Sequence, residues 1–204
     1  MNNRYLIKLL VTASLCNPFS LSVAGGEEPV QKKDTQAHWL EAYQDDDELF
    51  SLDGYRLFRY RSPTPEHAKG GTTINTAQLV SMLNSEQPPA LLDVQPVSWN
   101  NVFILTKPRQ HIPHSTWIPN VGMGELEDGW EDYYRHHLKK ATDGNKNFPV
   151  VIYCRADCWM SWNAVMRAAE WGYNELYWYR NGTDAWREHE YEMVDAIPEP
   201  YPVN

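Results

Sequence analysis

The chain has 204 residues, with 18 Lys and Arg against 27 Asp and Glu, a net charge of −9 and a hydrophobic fraction of 42%. That length buries one sizeable core, and the acidity works against binding nucleic acid or an anionic lipid surface. Three cysteines are too few to build a disulfide scaffold.

Arg4 and Lys8 precede an apolar run ending in Ser22-Val23-Ala24, which sets small residues where a signal peptidase reads. Residues 1–24 are expected to be a signal peptide cut before Gly25; the alternative is a hydrophobic N-terminal helix that stays attached. Asn17-Pro18 interrupts the run, which is short for a membrane span. Cys16 follows Leu15 where lipid attachment would want a small residue, so it is expected to leave with the signal. Removing Arg4 and Lys8 with no acid takes the net charge from −9 to −11. The expected location is the periplasm, with no membrane contact after signal removal. Only Cys154 and Cys158 then remain, a pair better suited to reactivity than to scaffolding.

Residues 25–37 are polar and read as a linker. Asp45-Asp46-Asp47-Glu48 is an acidic turn without the spacing or glycine of a calcium loop. Leu49-Phe50, Tyr55, Leu57-Phe58 and Tyr60 then suit an extended piece laid on the main domain and ended by Ser62-Pro63-Thr64-Pro65. Residues 25–71 are thus linker and N-terminal extension, and 72–204 the domain.

Asn75-Thr76 can cap a helix that buries Leu79, Val80, Met82 and Leu83. Pro88-Pro89 stops it, and residues 90–94 read as a strand buried on both faces. Thr116-Trp117-Ile118 is a second strand, and Trp130 to Lys140 a helix offering Tyr133, Tyr134 and Leu138 for packing. A strand at 150–153, a helix at 161–171 closed by Gly172, a strand at 176–179 and a short helix at 183–186 follow. Apolar strands separated by helices imply an α/β fold: a parallel sheet flanked by helices on both faces, with an N-terminal extension.

Val150-Val151-Ile152-Tyr153 delivers Cys154 to a tight loop, Arg155-Ala156-Asp157, ahead of Cys158, Trp159 and Met160. A cysteine there lies under the unpaired N–H groups and partial positive charge of a helix N-terminus, which stabilises a thiolate or persulfide. Cys154 is accordingly expected to alkylate faster than Cys158, with the Asp157 charge limiting the effect.

The order Leu91-Leu92-Asp93-Val94, His111-Ile112-Pro113 with Ile118-Pro119, residues 150–154, Trp171-Gly172-Tyr173, and Asn181-Gly182-Thr183-Asp184-Ala185-Trp186 resembles the rhodanese domain. Within that superfamily, Cys154, Cys158 and Trp159, with the lead-in Gly54-Tyr55-Arg56 and Tyr60-Arg61-Ser62-Pro63-Thr64-Pro65, resemble a narrower group. These are the PQQ-dependent catabolism-associated CXXCW motif proteins, linked to quinoprotein alcohol oxidation. The resemblance implies that Cys154 is the nucleophile, taking sulfane sulfur from a donor, holding it as a persulfide and passing it on. Arg155, Ala156, Asp157, Trp159 and Met160 would form the substrate-binding loop, with Arg155 suited to an anionic donor such as thiosulfate. His111 and His114 would form the turn around Pro113, and Asp93 would anchor strand and loop.

The chain departs from that pattern. Asp157 and Trp159 stand where a typical rhodanese loop has glycine and a basic residue, and Gln95 stands where arginine is usual. Cys158 adds a second chemistry: attack on a Cys154 persulfide releases sulfide and leaves a Cys154–Cys158 disulfide.

Covalent haem would need histidine in the place of Trp159. No cofactor or metal is expected, though two thiolates can hold Cu(I), with Met160 or a histidine as a further ligand. His136 and His137 are adjacent on a helix and face different ways, so they make poor joint ligands. Trp159 and Trp162 bracket the loop and can line a pocket for a planar quinone, although core packing accounts for most tryptophans of this kind. Two readings stay open. One is a sulfurtransferase acting on a small sulfur donor or a partner-protein thiol. The other is a non-catalytic accessory module of a quinoprotein dehydrogenase system, holding copper, a quinone or a partner thiol.

Overall fold

The computed structural model describes residues 49–201. The expected signal peptide, the linker at 25–37 and the acidic turn at 45–48 lie outside the described residues.

Chain order runs β1 (Thr72–Thr73), α1 (Thr76–Leu83), β2 (Ala90–Asp93), β3 (Ser98–Trp99), β4 (Phe103–Ile104), β5 (Gln110–His111) and β6 (Ser115–Trp117). It continues with α2 (Asp128–Thr142), β7 (Val150–Tyr153), α3 (Trp159–Glu170), β8 (Leu176–Tyr179), α4 (Gly182–Glu188) and β9 (Val194–Asp195). Five strands form a parallel sheet in the order β1-β8-β7-β2-β6. β3 and β4 pair as one antiparallel ribbon, and β5 and β9 as another. Among the described residues, no helix is long and apolar enough to cross a membrane.

Successive side chains of a strand face opposite ways, so the apolar runs supply two cores at once. Leu92, Val150, Ile152 and Trp178 face Tyr133, Tyr134 and Leu138 of α2 and Ala164, Val165 and Ala168 of α3. Leu91, Val151, Tyr153 and Tyr179 face Leu79 and Leu83 of α1 and Ala185 and Trp186 of α4. The sheet is covered on both faces, as the continuous apolar strands require. Asn75 caps α1 as expected, its side chain accepting from Gln78 N at 2.9 Å while Gln78 returns a bond to Asn75 N. Val80 and Met82, expected in the buried face of α1, are only half-buried at the rim of the second core.

Several elements escaped the sequence reading. The 98–104 ribbon turns at Asn101, whose φ of 56° is one asparagine tolerates. Trp99 and Phe103 on this ribbon pack on Trp130, which stacks on Tyr201 at 4.0 Å. The C-terminal segment returns across β6: Glu199 N donates to the Trp117 carbonyl at 2.9 Å, and Tyr133 Oη to the Glu199 carbonyl at 2.9 Å.

The extension does lie on the domain. Asn163 of α3 ties it down: Arg56 N donates to Asn163 Oδ1 at 2.9 Å, and Asn163 Nδ2 donates to the carbonyls of Arg56 and Gly122 at 2.8 Å each. Tyr55 is buried as expected, whereas Phe58 turns out to be exposed, its side chain lying on the outer side of the extension.

Two buried histidines make the fold acid-sensitive. Burial lowers both His111 and His137 to about 4, although Glu199, 3.8 Å from His137, pulls the other way. A folded pKa below the unfolded value of about 6.5 means that unfolding takes up protons, so stability falls as pH drops from about 6.5 to 4. Asp93, pushed up to about 6, has the opposite sign over part of that window. His137→Phe is expected to flatten the decline by up to about 1.4 kcal/mol per pH unit, the worth of one proton, read from urea unfolding at pH 4.5 to 7.

Candidate active site

β7 is central, between β2 and β8, and runs straight into Cys154 at the carboxyl end of the sheet, where open parallel sheets place their sites. Cys154 is fully buried. Its carbonyl accepts from Thr183 N at 3.0 Å, and Arg155 bridges to Gly182, so the first residue of α4 pins the loop from one side. Gly182 has φ +51°, and a Cβ there would stand 2.3 Å from the Cys154 carbonyl oxygen. Gly182→Ala is expected to destabilise the protein by at least about 1–2 kcal/mol from the left-handed backbone alone, with the collision adding to it, as urea unfolding would show.

Asp157 has φ +51°. This is the place where the resemblance expects glycine, and the backbone explains why: the turn needs the left-handed region, which aspartate is among the few other residues to tolerate. Cys158 is the N-cap of the 12-residue α3, with φ −114° and no side-chain cap bond. The helix therefore begins two residues earlier than expected, and the residue at its N-terminus is Cys158 rather than Cys154. Cys158 is thus the cysteine that meets the unpaired N–H groups of a helix N-terminus. Cys154, fully buried at the strand end, does not hold that position.

The two sulfurs are joined in a disulfide with Cα atoms 6.2 Å apart, inside the range such bonds tolerate. The other loop residues differ in placement. Arg155 is exposed, and its pKa is lowered first by desolvation and then by Arg61, with Asp184 opposing. Ala156 and Asp157 are half-buried. Trp159 is 2% exposed, enclosed by Phe50 at 5.6 Å, Trp162 at 5.1 Å and the Arg56 guanidinium at 4.8 Å. Met160 is buried against Gly122. Among the described residues, no three of His, Cys, Asp and Glu gather as metal ligands do.

Beside the loop opens a cleft of about 380 Å³, where Arg109, Arg155 and Arg187 meet Gln95, Thr183 and Asp184. Arg109 was missed by the sequence reading. Its Nη2 pairs with the fully buried Asp93 at the end of β2 and donates to Gln95 Oε1 at 3.2 Å, while its guanidinium lies 4.3 Å from the Trp117 ring. Arg109 stands two residues ahead of His111 and bonds the Gln95 side chain, at the position where the resemblance expects arginine. Burial raises Asp93 to about 6, outweighing Arg109 and the Gln95 N–H, both of which lower it.

The expected extension also reaches the cysteine loop, a contact its sequence did not show. Residues 60–62 run antiparallel to 157–159: Trp159 N donates to the Tyr60 carbonyl at 2.9 Å, and Ser62 N to the Asp157 carbonyl at 3.2 Å. Arg61 Nη1 donates to the Ala156 carbonyl, and Nη2 lies 3.4 Å from Asp184 Oδ2. Cys158, beside the strap and within the main core, is only 4% exposed.

Fold and site together define a parallel α/β domain with a cysteine loop at the carboxyl end of its central strand. The rhodanese-like domain family matches residues 75–189, and the chain belongs to that family. No curated protein matches. Among solved structures, the chain is similar to YnjE at 17% identity and a TM-score of 0.43, covering 64% of this chain and 33% of that one. It is also similar to EanB in complex with hercynine, at 19% identity and a TM-score of 0.40, covering 60% and 27%. A persulfide-bearing EanB in a tetrahedral intermediate state with ergothioneine matches at 15% identity and a TM-score of 0.43, covering 72% and 36%. The chain thus spans roughly a third of each of those longer proteins.

Proposed function

We propose that this is an exported, periplasmic rhodanese-like protein whose Cys154/Cys158 pair performs persulfide sulfur transfer or thiol redox chemistry in quinoprotein alcohol catabolism. The observation that carries the reading is the pairing of Cys154, at the end of the central strand, with Cys158, at a helix N-cap, in one disulfide. Export is supported by Arg4, Lys8, the apolar run and Ser22-Val23-Ala24, and the quinoprotein link by the resemblance at Cys154, Cys158 and Trp159.

The reduced pair works as follows. Cys154 thiolate attacks the outer sulfur of thiosulfate; its S–S bond breaks, sulfite leaves with the bonding pair, and Cys154 holds a persulfide. Cys158, whose N-cap position favours the thiolate, then attacks Cys154 Sγ. Sulfide departs, takes a proton from water, and the Cys154–Cys158 disulfide remains. Returning to the dithiol takes two electrons, supplied by the thiols of a protein partner. In the cleft Arg109, Arg155 and Arg187 outnumber the carboxylates of Asp184 and Asp195, a balance that suits an anionic donor.

Intact mass tests this reading. The exported protein should begin at Gly25 and lack two hydrogens on the cysteine pair as isolated. After reduction and brief exposure to thiosulfate it should gain one sulfur before the disulfide returns. Protein that begins at Met1 would sink the export claim, and reduced protein that never gains sulfur or loses hydrogens would sink the chemistry. A bound copper ion that survives dialysis would favour the accessory reading.

A further inference from the structure

The strap over the cysteine loop has a register that bears on how the disulfide is opened. Trp159 N donates to Tyr60 O and Ser62 N to Asp157 O, so the bonds flank Arg61 and Cys158 and leave those two as a non-hydrogen-bonded antiparallel pair. In such a pair the Cα atoms lie about 4.5 Å apart and both side chains project from the same face. The Cβ atoms come within about 4.5–5.5 Å, close to disulfide reach. Whatever residue stands opposite Cys158 in this register is therefore placed to bond with it, and in the resting chain that residue is Arg61.

The strap is anchored at both ends by buried residues, and between them it is held at the surface: Trp159 Nε1 donates to Ser62 Oγ at 2.9 Å, Gly124 N to Tyr60 Oη at 2.9 Å, and Arg61 to the Ala156 carbonyl and Asp184. Arg56 is buried and bonded to Asn163, and Thr64 is buried and held by Arg180 through its hydroxyl at 3.1 Å and its carbonyl at 2.8 Å. Residues 57–63 between these anchors are all exposed or half-buried. Segments of that kind open locally at a fraction of the cost of global unfolding. Lifting them removes the residue opposite Cys158 and frees the Trp159 N–H and the Asp157 carbonyl, two backbone groups that a second extended segment can pair with.

We propose that Cys158, the one extended residue between the Asp157 turn and the first turn of α3, is a bridge-pairing site for an extended, cysteine-bearing segment of a partner protein, and that residues 60–62 occupy the site as an intramolecular stand-in. This deepens the reading above, on which it rests, by naming the partner that supplies the two electrons. The partner segment replaces the strap and pairs antiparallel, with its cysteine opposite Cys158. That thiol gives its proton to solvent, and its thiolate attacks Cys158 Sγ. The Cys154–Cys158 bond breaks, the pair of electrons leaves on Cys154 as a thiolate, and a partner–Cys158 mixed disulfide forms. A second partner thiol then attacks the partner sulfur, closing a partner disulfide and releasing Cys158 as a thiolate. Arg61 acts as a latch, not as a reacting group.

The test uses oxidised full-length protein and a synthetic peptide copying residues 58–64 with Arg61→Cys, set against a scrambled peptide of the same composition and against dithiothreitol. Opening is counted by alkylation and intact mass after acid quench, and the trapped mixed disulfide is mapped by digestion. The copied peptide should open the disulfide about tenfold faster than the scrambled one, the worth of a single net hydrogen bond, and should be found on Cys158. Arg61→Ala protein, checked for an unchanged melting temperature, should open about tenfold faster with the copied peptide. Equal rates for the two peptides, a mixed disulfide on Cys154, or no acceleration by Arg61→Ala would overturn the bridge-pairing site. If the reduced protein still takes sulfur from thiosulfate in that case, the proposed function stands. If dithiothreitol also fails to open the pair and no sulfur is gained, both are overturned.

Discussion

After exposure to thiosulfate or polysulfide, Cys158→Ser protein is expected to accumulate one sulfur on Cys154, and Cys154→Ser protein none. Cys154 ends the central strand, and in the proposed cycle its thiolate makes the first bond to sulfur. Removing Cys158 takes away the intramolecular attack that expels sulfide, so the persulfide has no internal exit. Wild-type protein should show the persulfide only transiently, before the disulfide forms. Intact mass against time, with cyanide or dithiothreitol to strip the extra sulfur, separates the three proteins. A copper carrier behaves differently: either substitution weakens Cu(I) binding to a similar degree, and neither traps sulfur. The N-cap adds a readable asymmetry. Cys158 in the Cys154→Ser protein should alkylate at lower pH than Cys154 in the Cys158→Ser protein, because the helix dipole favours the Cys158 thiolate.

Arg109→Met is expected to destabilise the protein by about 3–5 kcal/mol at pH 7.5, the usual loss when one partner of a buried ion pair is removed. That corresponds to a fall of about 6–20 °C in Tm for a domain of this size. The carboxylate left behind, Asp93, is fully buried and already raised to about 6 with Arg109 in place. Without the guanidinium it rises further. A group whose folded pKa exceeds its unfolded value gives stability that is present below the unfolded pKa and lost as pH rises through the folded one. The deficit of Arg109→Met should therefore shrink between pH 7.5 and 5, as Asp93 takes up a proton. Asp93→Asn combined with Arg109→Met should cost less than Arg109→Met alone, since no uncompensated charge remains. A deficit that grows toward pH 5 would mean that Arg109 acts through its stacking on Trp117 and not through Asp93.

By itself the sequence determined the parallel sheet, because Leu91-Leu92, Val150 to Tyr153 and Leu176 to Tyr179 are apolar on both faces and only a twice-covered sheet buries both. It also placed Cys154 directly after the central strand, and showed that Asn75 caps α1 through a local bond. The two-residue strands were beyond reach because a pattern with a period of two needs more residues than that to show. The start of α3 was hidden because Trp159 and Met160 are large and apolar, and nothing local distinguishes loop from first turn there. Arg109 and Arg61 were invisible for a different reason: their partners, Asp93 and the 156–158 loop, lie 16 and nearly a hundred residues away in sequence. Only tertiary structure decided that Cys158 caps the helix, that Asp157 takes a left-handed turn, and that the strap lies opposite Cys158. Each depends on where separate segments meet in space, which no local periodicity encodes.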